Sequence, residues 1–367
     1  MTTTPPAPTW DRYADLAHDG LERFFGTELP QLLNNTYPSA PGDNETFNYW
    51  WLAHVLDVRL DAHLRTGEPA RLTQAVQTHG NLVERNGGSL FNDYFDDMLW
   101  FALATLRLWQ VTGEARYLDE VRAIWDHVME HGWNDDGGTS LAWRKQQLYY
   151  KNTPANGPLA ILSARLHEVD DDAVDGVARP YLATARTAFD WITATLVDET
   201  GFVEDGINRE QDGRIDTQWR FTYNQGLYVG AAVELHRATG DEQYLRAAVR
   251  TAKRALETLA TDGVFRDEGE GGDEGLFKGV YYRYLGCLLD VLPPDDDAAG
   301  RLREFVATSV GALIRTSGRE GVILAGDDWT APPSGTLRYS TQLSAIMALE
   351  VAARHRVGAD PQATVAV

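Results

Sequence analysis

Helical periodicity runs through most of this chain, and the helical stretches come in two kinds that alternate strictly. One kind is apolar on nearly every side: Trp50 to Leu64, Met98 to Trp109, Leu159 to Leu166, Tyr223 to Leu235, Val280 to Leu292 and Leu343 to Ala353. The other is amphipathic: Trp10 to Phe25, Pro69 to Val83, Tyr117 to Met129, Tyr181 to Leu196, Tyr244 to Leu259 and Ala298 to Leu313. In the fifth of these, Tyr244, Ala248, Ala252, Ala255 and Leu259 form one stripe, while Arg246, Arg250 and Lys253 fall off it. A helix apolar all round must be buried, and one with a single apolar face lies half against solvent. Their alternation therefore predicts an all-α chain in which an inner ring of six helices is wrapped by an outer ring of six.

The connections differ at the two ends of such a ring. Apolar helices pass to amphipathic ones through short turns, seen as RTGEPARL from Arg65, VTGEARYL from Val111 and ATGDEQYL from Ala238. Gly there suits a C-terminal cap, and the following acid or Pro suits a helix start. The recurrence is an internal repeat of roughly 60 residues per helix pair. The acidic runs Asp170 to Asp172 and Asp295 to Asp297 occupy equivalent places and are expected to be solvated turns. The opposite connections (86–92, 132–152, 198–220, 261–275 and 316–340) are long and rich in Gly, Trp, Tyr and Asp. They must gather over the N-termini of the inner helices, and long loops on a rigid scaffold are where binding and catalysis concentrate.

One stretch at that end stands out. In FNDYFDDMLWFAL, from Phe91 to Leu103, two adjacent acids, Asp96 and Asp97, open an otherwise apolar helix. Free N–H groups and the positive end of the macrodipole offset part of the cost of charge there. An N-capping Asp beside a solvated neighbour would explain one acid; two in succession beside Tyr94, Phe95 and Trp100 point to function.

Several polar groups share the same mouth. They are Asn44, Asn48 and Trp50; Tyr149, Lys151 and Asn152 in YYKN; Thr222, Tyr223, Asn224 and Gln225 in TYNQG; and Asp205 in FVEDGIN. Lys278 in LFKG, then Asp327, Asp328 and Trp329 in GDDWT, follow. Amides, hydroxyls and carboxylates beside aromatic faces suit a neutral polyhydroxylated ligand, which offers hydroxyls and patches of ring C–H. The alternative for the Asn and Thr residues is helix capping. Trp133 and Trp143 bracket DDGGTSLA, which predicts a hairpin able to act as a sugar platform.

Composition closes off other classes. A formal charge of -21 opposes nucleic acid and anionic membranes as partners. No apolar run approaches the roughly 20 residues needed to span a bilayer. MTTTPPAPTWDRY has neither a basic start nor an apolar segment, so a cytoplasmic location is expected unless a leader has been removed. A single domain spanning 1–367 is expected, as a monomer, with 1–9 and 357–367 as flexible tails. The lone Cys287, in YLGCLLDVL, excludes an internal disulfide and is expected to be a small core residue. HVMEH, from His127 to His131, matches a zinc-peptidase pattern, but it ends an amphipathic helix where histidines favour the C-terminal dipole. GEGGDEG, from Gly269, lacks the Lys of a phosphate loop and is expected to be a flexible acidic turn. No metal or organic cofactor is expected.

Glycoside hydrolysis commonly uses one carboxyl to protonate the leaving oxygen and a second on the sugar's other side. Adjacent helical residues diverge by roughly 100°, which places their carboxyl carbons about 5–7 Å apart. That range overlaps the retaining separation better than the inverting one.

YFDDMLWFAL, WNDDGGTSLAW, YYKN, FTYNQG and FKGVYYRYL, in that order and interleaved with TG[DE] turns, resemble glycoside hydrolase family 76, the endo-alpha-1,6-mannanases. The resemblance covers about Phe47 to Tyr284. It implies an (α/α)6 barrel, retaining cleavage of alpha-mannan or alpha-1,6-manno-oligosaccharide, no cofactor, and roles for Asp96 as nucleophile and Asp97 as acid/base. After YKN the chain departs from the family's usual small apolar residue and Ser-Asn pair, carrying Thr153, Pro154, Ala155, Asn156, Gly157 and Pro158 instead. Three rivals stand beside this reading. An unsaturated uronyl hydrolase needs cations such as Lys151, Lys278 or Arg338 at the mouth, a sugar epimerase needs histidines such as His54, and a mannan-binding protein needs no turnover.

Overall fold

The structure is a computed structural model, and it describes residues 9–169, 179–269 and 272–358. Among these, twelve helices alternate as the periodicity requires. The inner six are α2 (Tyr49–Thr66), α4 (Phe95–Thr112), α6 (Thr153–Val169), α8 (Thr222–Thr239), α10 (Glu274–Val291) and α12 (Tyr339–His355). The outer six are α1 (Trp10–Phe25), α3 (Pro69–Arg85), α5 (Ala115–Gly132), α7 (Tyr181–Thr195), α9 (Glu242–Leu259) and α11 (Asp297–Ser317). Each inner helix packs on the next inner helix, and α12 returns to α2, so the inner ring closes into an (α/α)6 barrel. Burial follows the two patterns: Phe101, Ala102, Leu106 and Leu108 of α4 are fully enclosed, whereas α9 buries only Tyr244, Ala248, Thr251, Ala252, Ala255 and Leu259.

The repeated turn has one geometry in three places. Gly67, Gly113 and Gly240 sit at φ +71, +69 and +70, each donating its N–H to the carbonyl four residues back. The preceding Thr66, Thr112 and Thr239 donate their hydroxyls to Ala62, Leu108 and Leu235 at 2.7, 2.8 and 2.7 Å. The same hydroxyls accept the N–H of Glu68, Glu114 and Asp241, which starts the next helix. One threonine thus ends one helix and orients the next.

Four inner helices start three or more residues before their apolar runs: α4 at Phe95 instead of Met98, α6 at Thr153 instead of Leu159, α10 at Glu274 instead of Val280, and α12 at Tyr339 instead of Leu343. Their first turns are polar because they face a cleft or the loops over it. In α6, Pro154 lies in the first turn, where its missing N–H costs nothing, while Pro158 lies further inside. Helices α8 and α10 meet at Gly226, where a Cβ would stand 2.6 Å from the Tyr281 Cα.

Several smaller expectations are refined. The hairpin after α5 is part of a four-stranded antiparallel sheet of Trp133–Asn134, Ser140–Arg144, Gln147–Asn152 and Gly206–Ile207. Of the acidic turns, Asp170–Asp172 lies outside the described residues, and Asp296 caps α11 by accepting from the Ala298 and Ala299 N–H groups. Residues 1–8 and 359–367 are likewise outside, but Thr9 caps α1, and buried Val357 accepts the Trp10 indole N–H at 3.0 Å. No helix among the described residues is long and apolar enough to cross a membrane.

Candidate active site

Tyr94 is the N-cap of α4, so Asp96 and Asp97 fall in its first turn. Their hydrogen bonding is unlike. Asp96 accepts the Asp97 backbone N–H at 3.0 Å through Oδ1 and the Trp143 indole N–H at 3.0 Å through Oδ2. Asp97 accepts the Asn92 amide at 2.8 Å through Oδ2. Asn92 is itself fixed, since its Oδ1 accepts the Tyr94 N–H at 2.9 Å. Trp143 is held on its strand between Tyr94 and Tyr150, with ring centroids 5.4 and 5.7 Å away.

Burial raises the pKa of both carboxyls. For Asp96 the two N–H donors pull against that rise. Asp97 stands well above the usual carboxylate range, because burial is joined by the charge of Asp96 and opposed chiefly by Asn92. The hydrogen bonds favour the charged form more at Asp96 than at Asp97, and burial raises the proton affinity of the pair as a whole.

Both acids line a cleft of about 590 Å³ at the N-terminal end of the inner ring. Of the residues singled out by the sequence, Asn48, Trp50, Trp100, Trp143, Asn152, Asp205 and Tyr223 also line it. Asp205 is the hub of the far wall. It accepts from the hydroxyls of Tyr223 at 2.8 Å and Tyr150 at 3.0 Å, the amide of Asn224 at 3.1 Å, and Arg209 at 3.1 Å. Tyr223 stacks on Phe277 with centroids 3.9 Å apart, presenting an aromatic wall.

Lys151, Asn224, Gln225, Lys278, Trp329 and Asn44, all expected at the mouth, do not line the cleft. The Lys151 ammonium donates to the carbonyls of Asn134, Gly138 and Ser140 at 2.7, 2.7 and 3.2 Å, so it staples the sheet, and burial draws it down to about 8. Gln225 spends both ends of its amide on the Val203 backbone. Asn224 donates its amide to Asp205. Lys278 donates to the Asp327 carbonyl beside the Trp329 ring, and Trp329, 1 % exposed, stacks on Tyr282. Asn44 is spent on Asn34 and Asn35. Buried His54 is drawn down to about 3.

Other cleft residues were not foreseen. Asp273, from the turn expected to be merely flexible and acidic, accepts the indole N–H groups of Trp50 and Trp51 at 2.9 and 2.8 Å. Arg209 and Trp219 form a stacked pair, guanidinium to ring centroid 3.7 Å, at the edge of the cleft. Their loop stands out in the sequence by its length, but no local pattern marks the two residues. His127 of HVMEH stacks on Phe91 at 4.0 Å, away from the cleft. Among the described residues no cluster of three or more His, Cys, Asp or Glu side chains could hold a metal ion.

Two carboxyls of unequal proton affinity, set in a cleft walled by aromatic rings and paired polar groups, can attack and protonate a sugar acetal. Comparison with known proteins places the chain among glycoside hydrolases. The profile described as Glycosyl hydrolase family 76 matches residues 12–363. The solved Lin0763 protein of Listeria innocua is 45% identical, with a TM-score of 0.89, covering 97% of this chain and 100% of that one. An inactive variant of the alpha-1,6-mannanase GH76A of Salegentibacter sp. HEL1_6, with two adjacent aspartates changed to asparagine, was solved with alpha-1,6-mannotriose. It is 34% identical, with a TM-score of 0.85, covering 94% of this chain and 99% of that one. The mannan endo-1,6-alpha-mannosidase DCW1 of Saccharomyces cerevisiae is 24% identical over 217 residues, 55% of this chain and 46% of its own length. The chain thus spans about half the length of the curated relatives it matches.

Proposed function

We infer, from a chain that belongs to glycosyl hydrolase family 76, that it cleaves alpha-1,6-mannosidic linkages with net retention, Asp96 acting as nucleophile and Asp97 as general acid/base. The observation that carries this reading is the unequal hydrogen bonding of the two acids in the cleft floor. Two N–H donors favour the anion on Asp96, and burial beside that anion keeps the proton on Asp97.

In the first half-reaction Asp97 gives its proton to the glycosidic oxygen while an Asp96 oxygen attacks the anomeric carbon, forming a glycosyl ester. Esterification removes the charge of Asp96. The affinity of Asp97 for a proton then falls, and its carboxylate can take one from water as that water attacks the anomeric carbon. The released sugar keeps the anomeric configuration of the substrate. Tyr223 and Phe277 offer ring faces to sugar C–H groups, and Asp205 and Asn48 offer polar partners.

The Salegentibacter mannanase supports the reading, since its inactive variant has two adjacent aspartates replaced and was solved in complex with alpha-1,6-mannotriose. Digestion of linear alpha-1,6-mannan by wild type, Asp96→Asn and Asp97→Asn, followed by product size, tests it. Products from wild type alone are expected. Equal product formation by all three would place the chemistry elsewhere, and tight binding without any turnover would make the chain a mannan-binding protein.

A further inference from the structure

A second cavity, of about 700 Å³, opens at the other end of the barrel, where the inner helices finish. It lies among the last turns of all six, and Trp100 is part of both its wall and the wall of the catalytic cleft. Six arginines and six acids line it. All of them except Glu168 stand in ion pairs with one another: Arg283 holds Asp57 and Asp61 at 2.7 Å each, Arg107 also holds Asp61, Arg165 and Arg237 hold Glu234 at 2.7 and 3.1 Å, and Arg354 holds Asp290 at 2.6 Å. Arg65 holds Glu350 at 2.9 Å.

The balance of these charges narrows what the cavity can take. A free ion entering it would lose its hydration and meet a wall with no charge excess to repay that cost. Anions are further opposed by the partial negative charge at the six helix ends. A neutral ligand escapes both penalties. Paired carboxylates still carry acceptor lone pairs, and a guanidinium carries five N–H donors, so donors and acceptors stand side by side at fixed spacing. Vicinal hydroxyls, each donating and accepting, match such a surface. Leu103, Met347 and Val351 add an apolar strip for ring C–H groups.

His54 and Trp100 both line the cavity, with ring centroids 4.9 Å apart, and add aromatic surface beside the apolar strip. We propose that the far cavity is a second carbohydrate site, separate from the catalytic cleft, that takes a neutral saccharide of one or two hexose units. A volume near 700 Å³ is within the range of small-molecule sites. The site does not depend on hydrolysis at Asp96, so it can stand or fall separately from the catalytic reading.

The test uses alpha-1,6-mannobiose and calorimetry on full-length Asp96→Asn/Asp97→Asn protein, with and without Leu64→Trp and Gln110→Trp at the exposed rim of the far cavity. Leu64 is 60% exposed, so the added rings can close the rim without touching the ion pairs. Two classes of site are expected, one of which is lost in the rim variant. Mannobiose binding that the rim changes leave intact would overturn the proposal while sparing the cleft. Absence of any mannobiose binding would count against both sites. Binding of inorganic phosphate in the far cavity, with mannobiose excluded, would show an anion site and overturn it. Should the rim variant fail to fold, mannobiose-soaked crystals of the double variant decide. Ordered sugar beside His54 or the Arg165–Glu234 pair supports the site, and an empty far cavity with an occupied cleft rejects it.

Discussion

The indole N–H of Trp143 donates to Oδ2 of Asp96 at 3.0 Å, tying a residue of the Ser140–Arg144 strand to the first turn of α4. A hydrogen bond to an ionised group contributes about 1.5–3 kcal/mol, and 1.36 kcal/mol corresponds to one pH unit. Trp143→Phe should therefore raise the pKa of Asp96 and move the acid limb of kcat/KM upward by about 1 pH unit or more. A pH–rate profile of the variant beside wild type checks this. An unmoved acid limb would mean that the bond does not tune the nucleophile.

The same profile has a required shape. Asp96 must be deprotonated to attack, so activity falls as pH drops through its raised value; Asp97 must be protonated, so activity falls as pH rises through its own. Both limbs should therefore lie above the ordinary carboxylate range, as macroscopic values of the pair.

The two acids should also differ in their response to leaving-group quality. Asp97→Asn loses general acid catalysis, worth about 10²–10⁴-fold on mannan, but an aryl mannoside with a good leaving group needs no proton and should be cleaved to the ester. Asp96→Asn should lose both substrates by at least about 10³-fold, because no nucleophile remains. Steady-state and burst kinetics on the two substrates separate these outcomes. Equal losses on both substrates for both variants would contradict the division of roles.

Keeping Asp97 raised costs the fold stability. Because its native pKa exceeds its unfolded one, the native state binds the extra proton between the two values, and stability declines as pH rises through that window. Asp97→Asn is neutral in both states and removes the proton uptake that folding otherwise requires. Its melting temperature should exceed that of wild type at pH 7, with the gap closing as pH falls to the ordinary carboxylate range. Calorimetric scans across pH measure the gap directly.

At the opposite end of the barrel, Gly113→Ala places a side chain at φ +69 and should cost about 1 kcal/mol. The turn is far from the cleft, so urea unfolding should shift while kcat stays unchanged.

Much of this fold is legible in the sequence, because burial on all sides and burial on one side leave different periodicities, as α4 and α9 show. The beginnings of the inner helices are not legible in that way. The first turn of α4 carries Asp96 and Asp97 toward a cleft, so its polar residues break the apolar pattern before the helix does. The carboxyl pair was visible because charge at the start of an apolar helix is costly. Lys151 and Gln225 looked the same as ligand-binding residues, since a polar side chain buried to satisfy backbone carbonyls has no separate signature. Asp273 was hidden for the opposite reason: its acidic, glycine-rich surroundings resemble solvated turn, and its two indole partners, Trp50 and Trp51, lie more than two hundred positions earlier in the chain.

The most direct test follows the anomeric protons by NMR while the wild-type enzyme begins to digest linear alpha-1,6-mannan. Attack by Asp96 from the face opposite the leaving group, followed by water entering from the face that group vacated and breaking the ester bond, predicts that newly formed reducing ends appear first as the alpha anomer and only later mutarotate. First release of the beta anomer would contradict the double displacement assigned to Asp96 and Asp97.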